Sequence, residues 1–414
     1  MTNSSFFHFR FKFVIFVSLL LTHSVIHGQG NPSCWFSNIE AGYTCLLLNG
    51  FYDNQNDPFI IGGAHSSGFS DINVTRLIAL NEIPSRMRFI PSAIFQRFQN
   101  LKELDLTNAQ VQDLAGLTTC PQLEVINLNK NQISQIPAGA FENCANLKQI
   151  SLSSNLISEI NVQSFRGLSQ VRGIWLDNNS IRNLIAGTFD ILQQLEIIDL
   201  RYNEVTEIPS GMFSQLMLLR NIDLSSNRIS RIYNGAFRNL PSLTAIPLNY
   251  NQIVTIDAGA FDDLQSVTTL NFQNNSLVRL SSNSFVNIPN LSLFRIDENY
   301  VNEVQRNFFI TFPSLQIVNA LGNQCINQIF FDPSSFEFLT AFEQCFQNYR
   351  GVSETTLPPS TPPTFGPPTT LPTGATNVPT TPGTPTTTDG AAGSLTVSLG
   401  ALLTILFILL SVHM

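Results

Sequence analysis

Histidine, cysteine and paired carboxylates are the side chains from which a hydrolytic or metal centre is built. The chain holds five histidines, His8, His23, His27, His65 and His413. A Ser-His-Asp or Cys-His arrangement needs one of them inside the folded body. Three fall in the N-terminal leader and His413 in an apolar tail, which leaves His65 by itself. A lone imidazole makes no His/Cys ligand set for a metal, and a surface or hydrogen-bonded role is its plain reading. Asp199, Asp223 and Asp297 recur on one side, but glycoside cleavage needs a closely placed carboxylate pair. Scattered along a surface, such groups are ordinary solvated charges. There is no glycine-rich phosphate loop. With 29 acidic against 21 basic side chains, there is no basic footprint for nucleic acid. The inventory predicts no enzyme, no cofactor, no metal and no small-molecule substrate.

What positions the remaining residues is a repeat. LEVINLNKNQI begins at Leu123, LKQISLSSNLI at Leu147, VRGIWLDNNSI at Val171 and LEIIDLRYNEV at Leu195. Four more begin at Leu219, Leu243, Val267 and Leu291, each 24 residues after the last. Leu101 opens a 22-residue copy, Leu77 a degenerate one, and Leu315 a last one that runs into a C-terminal cap. About eleven turns are expected over residues 77–327.

Each LxxLxL stretch predicts a short strand whose alternate apolar residues point one way. One turn cannot bury that face, but stacked neighbours can, so the core is continuous along a solenoid. An asparagine ladder from Asn131 to Asn323 falls where each turn bends out of its strand, where a buried amide can satisfy unpaired backbone groups. Ala109 breaks the ladder in the first full repeat. Phe141, Phe165, Phe189, Phe213, Phe237, Phe261, Phe285 and Phe309 share one slot on the other side. Their register with the core predicts a structural spine and not a binding stripe.

The ends carry addresses. Arg10 and Lys12 precede the apolar run 13–21, the pattern of a signal peptide over residues 1–28. Residues 29–76 then form an N-terminal cap, 328–350 a C-terminal cap and 351–389 a Thr/Pro-rich stalk. Such a stalk cannot bury enough apolar surface to offset its ordering entropy, and its composition is mucin-like. Residues 390–414 read as a GPI-attachment signal, with Gly390 or Asp389 as the attachment residue, or as a transmembrane tail. Small residues, a spacer and an apolar tail without following Lys or Arg favour the glycolipid.

An oxidising compartment makes disulfides the default for six cysteines, which allow fifteen pairings. Cys34 and Cys45 lie before the array and Cys325 and Cys345 after it, as caps over the open ends of the core. Cys120 and Cys144 each precede a repeat start by three residues, so they hold equivalent places on adjacent turns, within disulfide reach. Leucines such as Leu168 and Leu192 fill that slot elsewhere, so two packed thiols would also fit. Asn73, Asn178, Asn274 and Asn290 are N-glycosylation sequons.

Solenoids bind partners on their extended concave surface. Its solvent-facing columns, from Asp105 to Asn319 and from Thr107 to Asp297, are mostly small and polar, with Trp175 the exception. Aromatic residues and arginine dominate interface hot spots, so Trp175, Arg201, Tyr202, Arg220 and Tyr250 are expected to mark a partner-binding patch. Asn178, close to Trp175, would limit approach from one margin if glycosylated.

These repeats resemble the typical extracellular leucine-rich-repeat family. With the tail, the chain looks similar to insect GPI-anchored adhesion proteins such as chaoptin and connectin. The resemblance implies an α/β-type horseshoe with a concave parallel sheet, an irregular convex side and disulfide-linked caps. It also implies a cell-surface molecule, anchored at the plasma membrane, that binds an extracellular protein or cell-surface ligand in adhesion or as a co-receptor. Two cysteines stand in the N-terminal cap where the family usually has four, and Toll-like receptors of the family add a cytoplasmic signalling domain. A non-catalytic subunit of a secreted complex and an innate-immune recognition receptor are the competing readings.

Overall fold

The computed structural model describes residues 33–39, 42–48, 51–52, 63–79, 86–117, 119–333 and 335–350. The leader, stalk and tail, including Asp389 and Gly390, lie outside them. The described residues form a parallel-strand solenoid. Its main sheet has 14 strands among the described residues, ordered almost as in the chain. It opens with a hairpin, Ser33–Ile39 against Gly42–Leu48, whose second strand pairs in parallel with Arg76–Ala79. One strand per turn follows, from Glu103–Asp105 to Ile317–Asn319, and the antiparallel strand Ile329–Phe330 closes the far edge. In most turns the middle residue of the strand, such as Ile126 or Ile198, is buried, and its neighbours face outward.

The first turn begins three residues earlier than the spacing suggests. Leu77 pairs in register with Leu104, the second apolar position of the next repeat, and not with Leu101. Val74, fully buried, therefore opens that turn, and Leu77 and Ala79 complete its inward set.

The asparagine ladder joins the turns where they leave the sheet. In Asn203, Nδ2 donates to the carbonyls of Leu200 (3.0 Å) and Arg201 (3.3 Å) in its own turn. It also donates to Leu176 of the turn before (2.9 Å), and Oδ1 accepts from the Ile181 amide (3.0 Å). One buried amide thus satisfies backbone groups on two turns that no strand pairing reaches. At Ala109 the side chain is missing, and Asn131 Oδ1 accepts from both the Ala109 and Val111 amides.

Behind the sheet the phenylalanines stack. Centroid spacings are 5.5 Å for Phe213–Phe237, 5.0 Å for Phe237–Phe261 and 5.2 Å for Phe261–Phe285. The last spine residue is Phe308 and not Phe309: Phe308 meets Phe285 at 5.6 Å. Phe309 turns to Phe338 and Phe342 of the C-terminal cap, whose helices span Phe336–Ala341 and Glu343–Asn348. The convex side changes layer here because the cap needs an aromatic that the regular slot would point elsewhere.

Disulfides join Cys34 to Cys45, Cys120 to Cys144 and Cys325 to Cys345, with Cα separations of 5.2, 4.9 and 5.3 Å. The outer two pin the caps, and the middle one staples two adjacent turns at a buried position.

Replacing Asn203 by alanine should destabilise the array by ~3 kcal/mol, since buried carbonyls and an amide lose their partner. Hydrogen exchange should show the loss centred on the Ile181 amide, which donates to Asn203 Oδ1, fading within a turn on either side.

Candidate binding surface

The outward face of the sheet has a floor and two margins. The floor is made by strand residues; Trp175, half-buried at the end of Gly173–Trp175, is the large aromatic of its repeat strands, and Trp35 of the N-terminal hairpin, also half-buried, holds the same column of the sheet. Its indole folds back over Gly173: a Cβ at that glycine would stand 2.5 Å from Cη2 and 2.7 Å from Cζ3. Glycine is required there for space and not for backbone freedom. Every other turn from Val125 to Ile317 puts a side chain in this slot, and that contrast is the signal by which Gly173 could have been picked out. The role of Gly173 was not anticipated from composition or repeat spacing.

Parallel pairing sets Trp175 beside Ser151 on one side and Asp199 on the other, with Asp223 one strand further. Asp199 is only 8% exposed. Burial, reinforced by the carboxylates of Asp177 and Asp223, pushes its carboxyl up to about 6, against the opposing pull of Arg201. Arg201 is exposed and holds Asp199 through Nε at 3.0 Å, while its amide donates to Oδ1 at 3.1 Å. Asp177 accepts from Ser153 Oγ and from Asn178 Nδ2 (2.8 Å). Asp223 accepts from the amide and hydroxyl of Ser225 (2.9 and 2.6 Å).

The leading margin, where the chain enters the strands, sets each glutamate between two cations. Lys102 and Lys148 flank Glu124 at 3.0 and 2.6 Å, and Arg172 and Arg220 flank Glu196 at 2.6 and 3.9 Å. The trailing margin passes through the left-handed region one residue before each ladder asparagine. Asn178 (φ 54°), Tyr202 (54°), Tyr250 (57°) and Asn274 (53°) all occupy that slot. Left-handed backbone is disfavoured for a bulky side chain; here the turn geometry imposes it, and the tyrosines stand 56% and 53% exposed.

The five patch residues are therefore spread across the sheet. Trp175 and Arg201 share the floor on adjacent turns. Tyr202 and Tyr250 stand on the trailing margin two turns apart, roughly 10 Å at strand spacing. Arg220 sits on the opposite margin, engaged with Glu196. The sequon asparagines Asn73, Asn178 and Asn290 are exposed and Asn274 partly so. His65 is a bonded cap residue, with Nε2 2.9 Å from Asp71 Oδ1 and Nδ1 3.3 Å from the Tyr43 hydroxyl. Among the described residues no group of three His, Cys, Asp or Glu is placed to hold a metal, and no helix is long and apolar enough to cross a membrane.

A family model described as Leucine rich repeat matches residues 218–277 and 246–301. A second, BspA type Leucine rich repeat region (6 copies), matches 65–185 and 116–244. The human leucine-rich repeat-containing G-protein coupled receptor 6 is 32% identical over 96 residues, which cover 23% of this chain and 9% of the receptor. The Xenopus laevis leucine-rich repeat-containing G-protein coupled receptor 5A is 30% identical over 117 residues, 24% of this chain and 13% of that one. The match thus spans only about a tenth of either receptor. A chain in the solved Toll–Spatzle complex of Drosophila superposes with a TM-score of 0.53 at 23% identity, over 60% of this chain and 33% of that one. At that identity the likeness is one of fold.

Two outcomes follow from the floor. In a Trp35→Phe background, Gly173→Ala should displace the indole of Trp175, the other of the two tryptophans, and red-shift its emission. Asp199→Asn should bear on stability through pH. The folded-state carboxyl titrates at about 6 against an ordinary 3.8, so the folded state binds the proton more tightly and the wild type loses stability as pH rises through that window. The variant lacks this loss, so its thermal midpoint should exceed the wild type's above pH 6 and the gap should shrink towards pH 4.

Proposed function

The chain is a leucine-rich-repeat protein, and from that premise we propose that it is a cell-surface protein-binding molecule, an adhesion protein or co-receptor. Its partner lies on the concave face of the solenoid. The observation that carries this reading is Trp175: a large aromatic held half-buried among the outward residues of the repeat strands, in a seat that Gly173 leaves open. Exposed aromatics of this kind bury large area at low entropic cost and dominate interface energetics. A rigid strand beneath the ring lowers the cost of binding further. Arg201 on the next turn and the exposed Tyr202 and Tyr250 on the trailing margin extend the surface.

The relatives named above are receptors, which supports a receptor-like use of the repeats. The leader and the tail support delivery to the outer face of the plasma membrane, with Gly390 or Asp389 as the glycolipid attachment residue. Glycans at Asn178 and Asn274 would stand in the trailing-margin slots one turn from Tyr202 and Tyr250 and limit a partner's approach from beyond that margin.

Expressed in animal cells, the full chain should be released from intact cells by phosphatidylinositol-specific phospholipase C. Retention on the cells overturns the glycolipid, and protein free in the medium before treatment favours a secreted subunit. Beads coated with the full chain should cluster with one another or bind animal cells. A Trp175→Ala, Arg201→Ala double variant should weaken this by about tenfold or more; undiminished binding would sink the placement on the concave face.

A further inference from the structure

Charge on the outer face of the sheet is polarised across the strands, and the polarity says what kind of side chain the floor receives. On the leading margin each glutamate is flanked by two cations, so that row is satisfied within itself. On the floor and trailing side, Asp177, Asp199 and Asp223 lie on three successive turns beside Trp175. Among the described residues, their ion pairs involve Arg201 alone. Asp177 and Asp223 are held by hydroxyl and amide donors, which leave their charge in place. Three carboxylates against one guanidinium leave a local excess of negative charge around an open aromatic face.

We infer that the partner presents a cationic side chain, lysine or arginine from a basic protein segment, to this floor, where it covers the indole of Trp175 and pairs with Asp177, Asp199 and Asp223. This rests on the concave-face reading above and specifies the partner's chemistry. Tryptophan is the best aromatic acceptor of a cation lying within about 6 Å of its ring. The ring's inner side is already against Gly173, so its outer side is the one available. The carboxylates succeed one another turn by turn, while the leading margin is cationic on balance. The segment therefore runs along the solenoid axis over the trailing half of the floor, and does not cross the strands.

The electrostatics of Asp199 agree with this geometry. Its carboxyl is raised by burial and by Asp177 and Asp223, and lowered by Arg201; a second cation would lower it further. By linkage, a cation should bind more tightly as pH rises and Asp199 ionises.

The test uses the full chain purified from animal cells, with fluorescein-labelled (Lys-Gly)10 and (Glu-Gly)10 peptides, read by anisotropy at low ionic strength. The lysine peptide should bind and the glutamate peptide should not. Trp175→Ala and Asp223→Asn should each weaken lysine-peptide binding by about tenfold, while Asp190→Asn, the same charge change at an exposed convex position, should leave it unchanged. Wild-type affinity should rise between pH 5 and pH 7, and Asp199→Asn should flatten that rise. Absence of binding, or equal loss in Asp190→Asn and Asp223→Asn, overturns the inference. Bead or cell binding that needs Trp175 and Arg201 without any lysine-peptide binding leaves the concave-face function standing and removes the cationic partner. Lysine-peptide binding at Trp175 with bead and cell binding indifferent to it does the reverse.

Discussion

A turn of about two dozen residues has an apolar side too large to expose and too small to form a core by itself. Every other feature of the molecule answers that constraint. Stacking buries the apolar side against the next turn, but it also buries the backbone where each turn leaves the sheet, and buried amides and carbonyls must be paired. The ladder asparagine resolves both requirements, because its single side chain reaches its own turn and the one before. The core and the ladder therefore stand or fall together, turn by turn.

The same constraint divides labour between the two sides. The convex side is filled by phenylalanines that stack turn on turn from Phe165 to Phe285; at the cap Phe308 continues the spine edge-on and Phe309 seals the end. The sheet side has no packing duty for its outward residues, so they are free to vary. That freedom is visible as polar residues at most outward positions, as aliphatic ones such as Val125 and Leu293, and as the half-buried indole of Trp175. It extends even to Pro247, which cannot donate to the ladder and leaves only Asn221 paired with Ala245 between its strand and the one before.

Electrostatics on the sheet side follow from strand spacing. Residues in one column stand about 4.8 Å apart, close enough for like charges to repel and for an opposite charge to serve two neighbours. On the leading margin each glutamate is paired with the cations of the turns beside it, and the column stays cationic on balance. In the trailing half three carboxylates crowd together, and the most buried of them, Asp199, holds its proton to about pH 6. A binding surface that keeps an unrelieved charge beside an open aromatic is pre-organised for an opposite charge, since the desolvation has already been paid for by the fold.

The repeat frame, the inward residues, the ladder and the phenylalanine row were legible in the sequence because a 24-residue period acts on each residue through its own position. What the tertiary structure decided were matters of alignment between turns. Val74 and not Leu77 opens the first turn, because register is set by pairing with the strand that follows. Phe308 replaces Phe309 at the end of the spine, because the cap competes for the ring. Among the patch residues, Trp175 and Arg201 come together while Arg220 falls on the far margin, because it precedes its strand and stands three residues ahead of the slot that Trp175 holds. The seat of Trp175 on Gly173, and the ionisation of Asp199, depend on neighbours two residues away along the strand and about 24 residues away across it, distances that only the folded chain brings to contact.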